Sequence, residues 1–203
     1  AQKAKKALLE SEQDRTAVEI LVERAVELAP TAYDPAPPAR VNAKRAKGSP
    51  QSAVLMFSDT HIGQCVSPDQ TLGLGNYSFD LFMRRLARLE KSIFSILEDH
   101  TTTPVPEIVV AMIGDMMHGN LSHAVEAGQV NTLFDQFYSA GHAIAQFLRN
   151  ISAIAPIRIH TAVGNHTRWG TQKKMPTDNR YSNLDQFLYA YLAALLRENK
   201  RVT

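Results

Sequence analysis

One cysteine, Cys65, in 203 residues excludes an internal disulfide framework. No apolar run approaches the roughly 20 residues that a membrane-crossing helix needs. There is no phosphate-cradling G-x-x-x-x-G-K run, and Gly73-Leu74-Gly75 lacks both the third glycine and the strand-to-helix setting of a dinucleotide loop, so ATP and NAD are not indicated. No repeat at a solenoid period is present. Charge of one sign is also missing: residues 1–50 hold nine Lys/Arg against seven Asp/Glu, and residues 51–203 hold thirteen of each. The resulting net charge of +2 does not announce a nucleic-acid binder. With 44% apolar and 21% charged side chains, the expectation is one domain with a substantial core, an appendage, and a reducing, cytoplasmic setting.

What is present begins with an amphipathic stretch. Val18, Leu21, Val22, Ala25, Val26 and Ala29 recur at helical spacing, Ser11 with Asp14 suits a capping box, and Pro30 ends the pattern. Residues 1–29 are therefore predicted as an N-terminal helix that covers the sheet, binds another subunit, or packs one face and solvates the other. Residues 30–50, with five prolines among Arg40, Lys44, Arg45 and Lys47, read as an extended linker. Residues 51–203 then alternate between two periods. Apolar runs at Ala53–Phe57, Ile108–Ile113 and Ile157–Val163 predict strands, and the helical spacings over Tyr77–Leu97, Ser122–Asn150 and Asn183–Asn199 predict the helices that follow them. Unbroken apolar strands of this kind are expected to be buried on both faces, giving an α/β layered domain with helices covering the sheet. Arg201-Val202-Thr203 reads as the start of another strand.

Three short polar signals stand directly after those strands: Asp59-Thr60-His61, Gly114-Asp115 and Gly164-Asn165-His166. In an open α/β sheet the ligand crevice lies at the carboxyl ends of the strands. Asp59 and His61, two apart, project the same way if the chain is still extended there, so an oxygen and a nitrogen can share one ion. Asp115 can offer one carboxylate oxygen to each of two ions, and Asn165 offers a neutral amide oxygen that leaves the site attractive to phosphate. Each signal alone suits a capping Asp or a turn Gly-Asn. The set, in this order at successive strand ends, points to a metal centre.

The segments Phe57-Ser58-Asp59-Thr60-His61-Ile62-Gly63, Ile113-Gly114-Asp115-Met116-Met117-His118-Gly119 and Val163-Gly164-Asn165-His166 resemble the calcineurin-like metallophosphoesterases, over about residues 53–200. His118, three after Asp115, is similar to the variant of SbcD-type repair nucleases, and the stretch from His118 to His166 resembles phage-encoded phosphoesterases. The resemblance implies that Asp59 and His61 bind a first divalent ion, that Asp115 bridges, that Asn165 binds a second, and that His166 faces the scissile phosphate as the catalytic histidine. Manganese is the first choice for both ions, with magnesium, iron or zinc also compatible. The family supplies further metal-binding histidines from later strands, ending in a G-H-x-H motif, whereas no histidine follows His166 here. The expectation is that the domain is truncated at its C-terminus; the alternatives are completion by a partner chain or substitution by His118 and His123.

A two-ion centre would acidify a bridging water and neutralise phosphate oxygens, with neither serine nor cysteine as nucleophile. The segment from His166 to Arg180 carries Arg168, Trp169, Lys173 and Lys174, so a base could stack on Trp169 while the cations hold phosphates. A phosphodiester substrate, DNA included, is preferred on that ground. The rivals are a phosphomonoesterase or protein phosphatase, and a catalytically incomplete scaffold that docks a partner through the N-terminal helix. His100, His142 and His160 read as structural, and Met112, Met116 and Met117 as core filling.

Overall fold

Three runs of five residues each, β1 (Ala53–Phe57), β2 (Ile108–Met112) and β3 (Ile157–Thr161), form a parallel sheet in the order β1-β2-β3. The structure is a computed structural model and describes residues 48–119, 132–168 and 183–203. The expected N-terminal helix and nearly all of the linker lie outside the described residues. Register aligns Ala53 with Ile108 and Ile157, and Phe57 with Met112 and Thr161, so the three strands end level with one another. That common edge carries the three polar signals.

Each strand leads into a helix, α1 (Phe79–Ser95), α2 (Leu133–Ser152) and α3 (Leu184–Leu196), which makes the described chain a mixed α/β fold of three βα units. Capping sets the starts. The Ser78 hydroxyl accepts from the Leu81 N–H at 3.2 Å, and Thr132 with Asp135 forms a reciprocal capping box. Helix α1 widens at its end into a π turn over Ile96–His100, where the Thr101 N–H donates to the Ile96 carbonyl at 2.9 Å. On α2, Phe137, Ala140, Ile144, Phe147, Leu148 and Ile151 are buried at helical spacing and form the middle of the core with Leu188, Tyr191 and Leu192 of α3. Gly141 lies under the Tyr191 ring, where a Cβ would collide with it. The helical stretch expected from Ser122 is described only from Thr132, where the helix has its cap. Among the described residues no helix is long and apolar enough to cross a membrane.

The terminal Arg201–Thr203 pairs parallel to β3: the Ile157 N–H donates to the Arg201 carbonyl at 2.7 Å, and the Ile159 N–H to the Thr203 carbonyl at 2.8 Å. A strand was expected there, and the described residues form a single isolated bridge, Ile157 with Val202.

Burial on both faces of the sheet was expected, and the described residues cover only one. Phe57, Ile108, Val110, Met112 and Ile157 are sealed beneath the helices, whereas Val54 and Met56 are 65% and 61% exposed. Val109 and Ala111 of the same face are half-buried, and Arg158 and His160 are exposed. The physical reason is that strand burial alternates with the period of two imposed by the pleat. Apolar residues on the open face imitate a two-sided core in the sequence. His160, read as a structural histidine, stands exposed on that face.

The two faces should respond differently to truncation in urea unfolding. Ile108→Ala removes fully buried methylenes and is expected to cost about 2–5 kcal/mol, whereas Val54→Ala on the open face should stay within about 0.5 kcal/mol.

Candidate metal centre

Beyond β1 and β2 the chain leaves regular strand geometry while the two loops remain hydrogen-bonded side by side. The Asp59 N–H donates to the Gly114 carbonyl at 3.1 Å, His61 to Asp115 at 3.1 Å, Ile62 to Met116 at 2.9 Å, and His118 to Ile62 at 2.9 Å. The Thr60 hydroxyl donates to the Met116 carbonyl at 2.5 Å, and the Tyr77 hydroxyl donates to the Thr60 carbonyl. Burial raises the Tyr77 pKa, so that donor stays protonated.

Asp59 (φ 53°), His61 (φ 42°) and Asp115 (φ 54°) occupy the left-handed region, which side-chain-bearing residues enter at a cost of roughly 1–3 kcal/mol each. An extended chain would give Asp59 and His61 a shared direction by strand alternation. The backbone corrects this, since both residues sit at left-handed kinks and it is those kinks, rather than strand alternation, that turn their side chains together.

The outcome is convergence. Asp59, His61 and Asp115 each place a donor atom within 4.8 Å of the other two, and His61, His118 and His166 do the same. The ring centroids of His61 and His166 are 4.5 Å apart, those of His118 and His166 5.8 Å, and those of His61 and His118 5.9 Å. Burial first, and the neighbouring His166 second, lower the His61 pKa, with Asp115 and Asp59 acting in the opposite direction. The neutral ring, the form that ligates a cation, is thereby favoured.

The glycines of the second and third signals are needed for close approach. A Cβ on Gly114, which also has φ of 95°, would collide with the Gly164 backbone, and a Cβ on Gly164 would collide with the Asp115 carboxylate and main chain. The two loops therefore touch backbone to backbone. The His166 N–H donates to Asp115 Oδ1 at 2.8 Å, which fixes the third signal on the second.

Sequence reasoning missed what holds these loops. Asp185, 0% exposed, accepts three main-chain N–H groups: Asp115 at 2.9 Å, Met116 at 3.2 Å and Gly164 at 2.9 Å. Asn183 acts beside it, donating from Nδ2 to the Gly164 carbonyl at 2.9 Å and accepting at Oδ1 from the Thr167 hydroxyl at 2.7 Å and from the Asp185 N–H at 2.9 Å. Burial raises the Asp185 pKa, while the N–H groups of Gly164, Asp115 and Met116 and the Thr167 hydroxyl draw it back down. In the sequence the pair looks like an ordinary helix start, with an Asn cap and an Asp in the first turn. No local signal separates a capping acid from one that reaches two distant loops.

Compared with protein-family models, with curated proteins and with solved structures, the chain finds no match.

The structure thus brings together Asp59, His61, Asp115, His118 and His166. Asn165 lies between two anchored residues of the third loop, is itself exposed, and its carbonyl accepts from Arg168 Nε at 2.9 Å. Arg168 therefore folds back on its own loop. His123, Trp169, Lys173 and Lys174 lie outside the described residues. The donor set fits a divalent cation on two counts: carboxylate oxygens and imidazole nitrogens meet within ligand spacing, and Nδ1 of His61 and of His166 is buried without a hydrogen-bond partner among the described residues.

Asp185→Asn turns an amide N–H₂ toward at least one main-chain N–H. Unfolding free energy is expected to fall by about 2–3 kcal/mol, and calorimetry should show weakened divalent-cation binding although Asp185 is not among the donors. Gly164→Ala should be of comparable cost, about 1–3 kcal/mol of overpacking, and should separate Asp115 from the third loop.

Proposed function

We propose that this chain is a metal-dependent phosphoester hydrolase of the phosphodiesterase or nuclease type, built on the layered sheet of the calcineurin-like metallophosphoesterases. One observation carries the reading: donors from three successive strand ends, far apart in sequence, meet at one edge of the parallel sheet. A structural role alone does not call for that convergence. Burial and the neighbouring His166 disfavour a charged His61 ring, and three left-handed non-glycine residues add backbone strain.

Divalent cations held by Asp59, His61 and Asp115, with Asn165 alongside, would supply Lewis acidity toward a phosphoryl oxygen and acidity to an attacking water. The protein's own part is positioning. Asp185 sets the main chain of Asp115 and Gly164, and Asp115 in turn holds the His166 N–H, so the third loop cannot shift without disturbing the carboxylate beside it. His166 is then placed to direct an imidazole N–H at the charged oxygens of the reacting phosphate. His61 stays neutral through burial and the nearness of His166.

Preference for a phosphodiester over a monoester rests on His118 at its spacing from Asp115 and on the cationic stretch Arg168, Trp169, Lys173 and Lys174 in the sequence. The lone Cys65 supports a reducing, cytoplasmic setting.

Activity toward bis-nitrophenyl phosphate and a DNA oligonucleotide in Mn²⁺ tests the proposal. Turnover that Asp115→Asn abolishes and that His166→Ala lowers by about 10² to 10³, as loss of one donor to the developing charge would, is the expected result. Cleavage of monoesters alone would refute the diesterase assignment, and absence of any turnover together with absence of divalent-cation binding would refute the enzyme.

A further inference from the structure

The carboxylates are only part of the donor set. His61 follows β1, His118 follows β2 and His166 follows β3, yet each offers one nitrogen within 4.8 Å of the other two. No helical or strand periodicity brings these rings together, because each comes from a different loop. The backbone that delivers them is held at three points: His61 N–H on Asp115, His118 N–H on Ile62, and His166 N–H on Asp115 Oδ1. His118 is 5% exposed, and the other two rings are half-buried.

We propose that His61, His118 and His166 form an all-imidazole site for one borderline divalent cation of the zinc class, set beside an oxygen-donor site on Asp59 and Asp115, so that the two ions of the centre differ in kind. The second half of that statement rests on the phosphoesterase reading; the three-imidazole site stands on its own donors. Three neutral imidazoles with a remaining open position suit Zn²⁺, Co²⁺ or Ni²⁺, whereas paired carboxylates suit Mn²⁺ or Mg²⁺.

His61 belongs to both donor groups, and that decides how they share. A neutral imidazole has one nitrogen lone pair to give. A borderline cation gains more from it than a hard one, so His61 goes to the nitrogen site and the carboxylates keep the hard ion.

The charges then differ. Two carboxylates cancel the charge of the ion they hold, while three neutral rings leave theirs whole, so the imidazole site is where a phosphate anion is drawn. A ligated His166 keeps one N–H and no lone pair, which makes it a hydrogen-bond donor to phosphate rather than a carrier of protons. The site is also assembled from this chain's own described residues, with no later histidine required.

Cobalt substitution tests the site. The full chain, stripped with a chelator, is titrated with Co²⁺ while the visible d–d bands are followed, and with Mn²⁺ while its paramagnetic resonance signal is followed, in the wild type, His118→Gln and Asp59→Asn. The proposal expects one Co²⁺ per chain with a nitrogen-ligated spectrum, weakened more than about tenfold by His118→Gln, and Mn²⁺ binding weakened by Asp59→Asn instead. Co²⁺ binding that ignores His118→Gln and is lost in Asp59→Asn overturns the three-imidazole site and leaves the phosphoesterase reading standing. No binding of either metal overturns both. Histidine imidazole nitrogen shifts of the wild-type chain on Zn²⁺ addition give the answer without a substitution. Perturbation of His61, His118 and His166 together supports the site, and perturbation confined to His61 overturns it.

Discussion

The buried carboxylate of Asp185 is the constraint on which the site geometry depends. Its two oxygens accept three main-chain N–H groups, from Asp115 and Met116 after β2 and from Gly164 after β3. Hydrogen bonds to a charged acceptor in a buried setting are stronger than neutral ones, and an orphaned N–H there would be costly. That favourable balance offsets the left-handed backbone at Asp115, and the main-chain zipper between the first two loops offsets it at Asp59 and His61. The Tyr189 hydroxyl reinforces the same edge by donating to the Ala162 carbonyl at 2.9 Å, and burial raises its pKa so that it remains a donor.

Much of the fold was legible because its signals are local. The change from unbroken apolar runs to helical spacing located all three strands and the helices after them, and β1 matches its expected bounds at Ala53 and Phe57. The open face of the sheet was not legible. Val54 and Met56 are as apolar as Leu55 and Phe57, and a sequence pattern cannot tell an uncovered apolar residue from a covered one. The membership of the site was also legible, since Asp59, His61, Asp115 and His166 were singled out by their position after apolar strands and the structure brings them together. The reason for their convergence was not, because left-handed turns at Asp59 and His61 leave no compositional mark where the residue is not glycine. Asp185 and Asn183 escaped for a related reason: their contacts lie some 20 to 70 residues away in the chain.

Sheet, clamp and donors form one line of dependence. Parallel pairing ends the strands level, level ends put three loops at one edge, and the glycines at 114 and 164 let two of those loops meet without intervening side chains. Only then can side chains more than fifty residues apart share a cation. The apolar face of the sheet, held open among the described residues, lies opposite the helices and takes no part in this arrangement.

The central claim is that these loops build a cation-binding centre. Crystals of the full chain grown with Mn²⁺ or Zn²⁺ and measured at the metal absorption edge test it directly. The account predicts anomalous difference density within bonding distance of donor atoms among Asp59, His61, Asp115, His118 and His166. Well-ordered side chains at those positions with anomalous density only elsewhere, or with none at all, would contradict it.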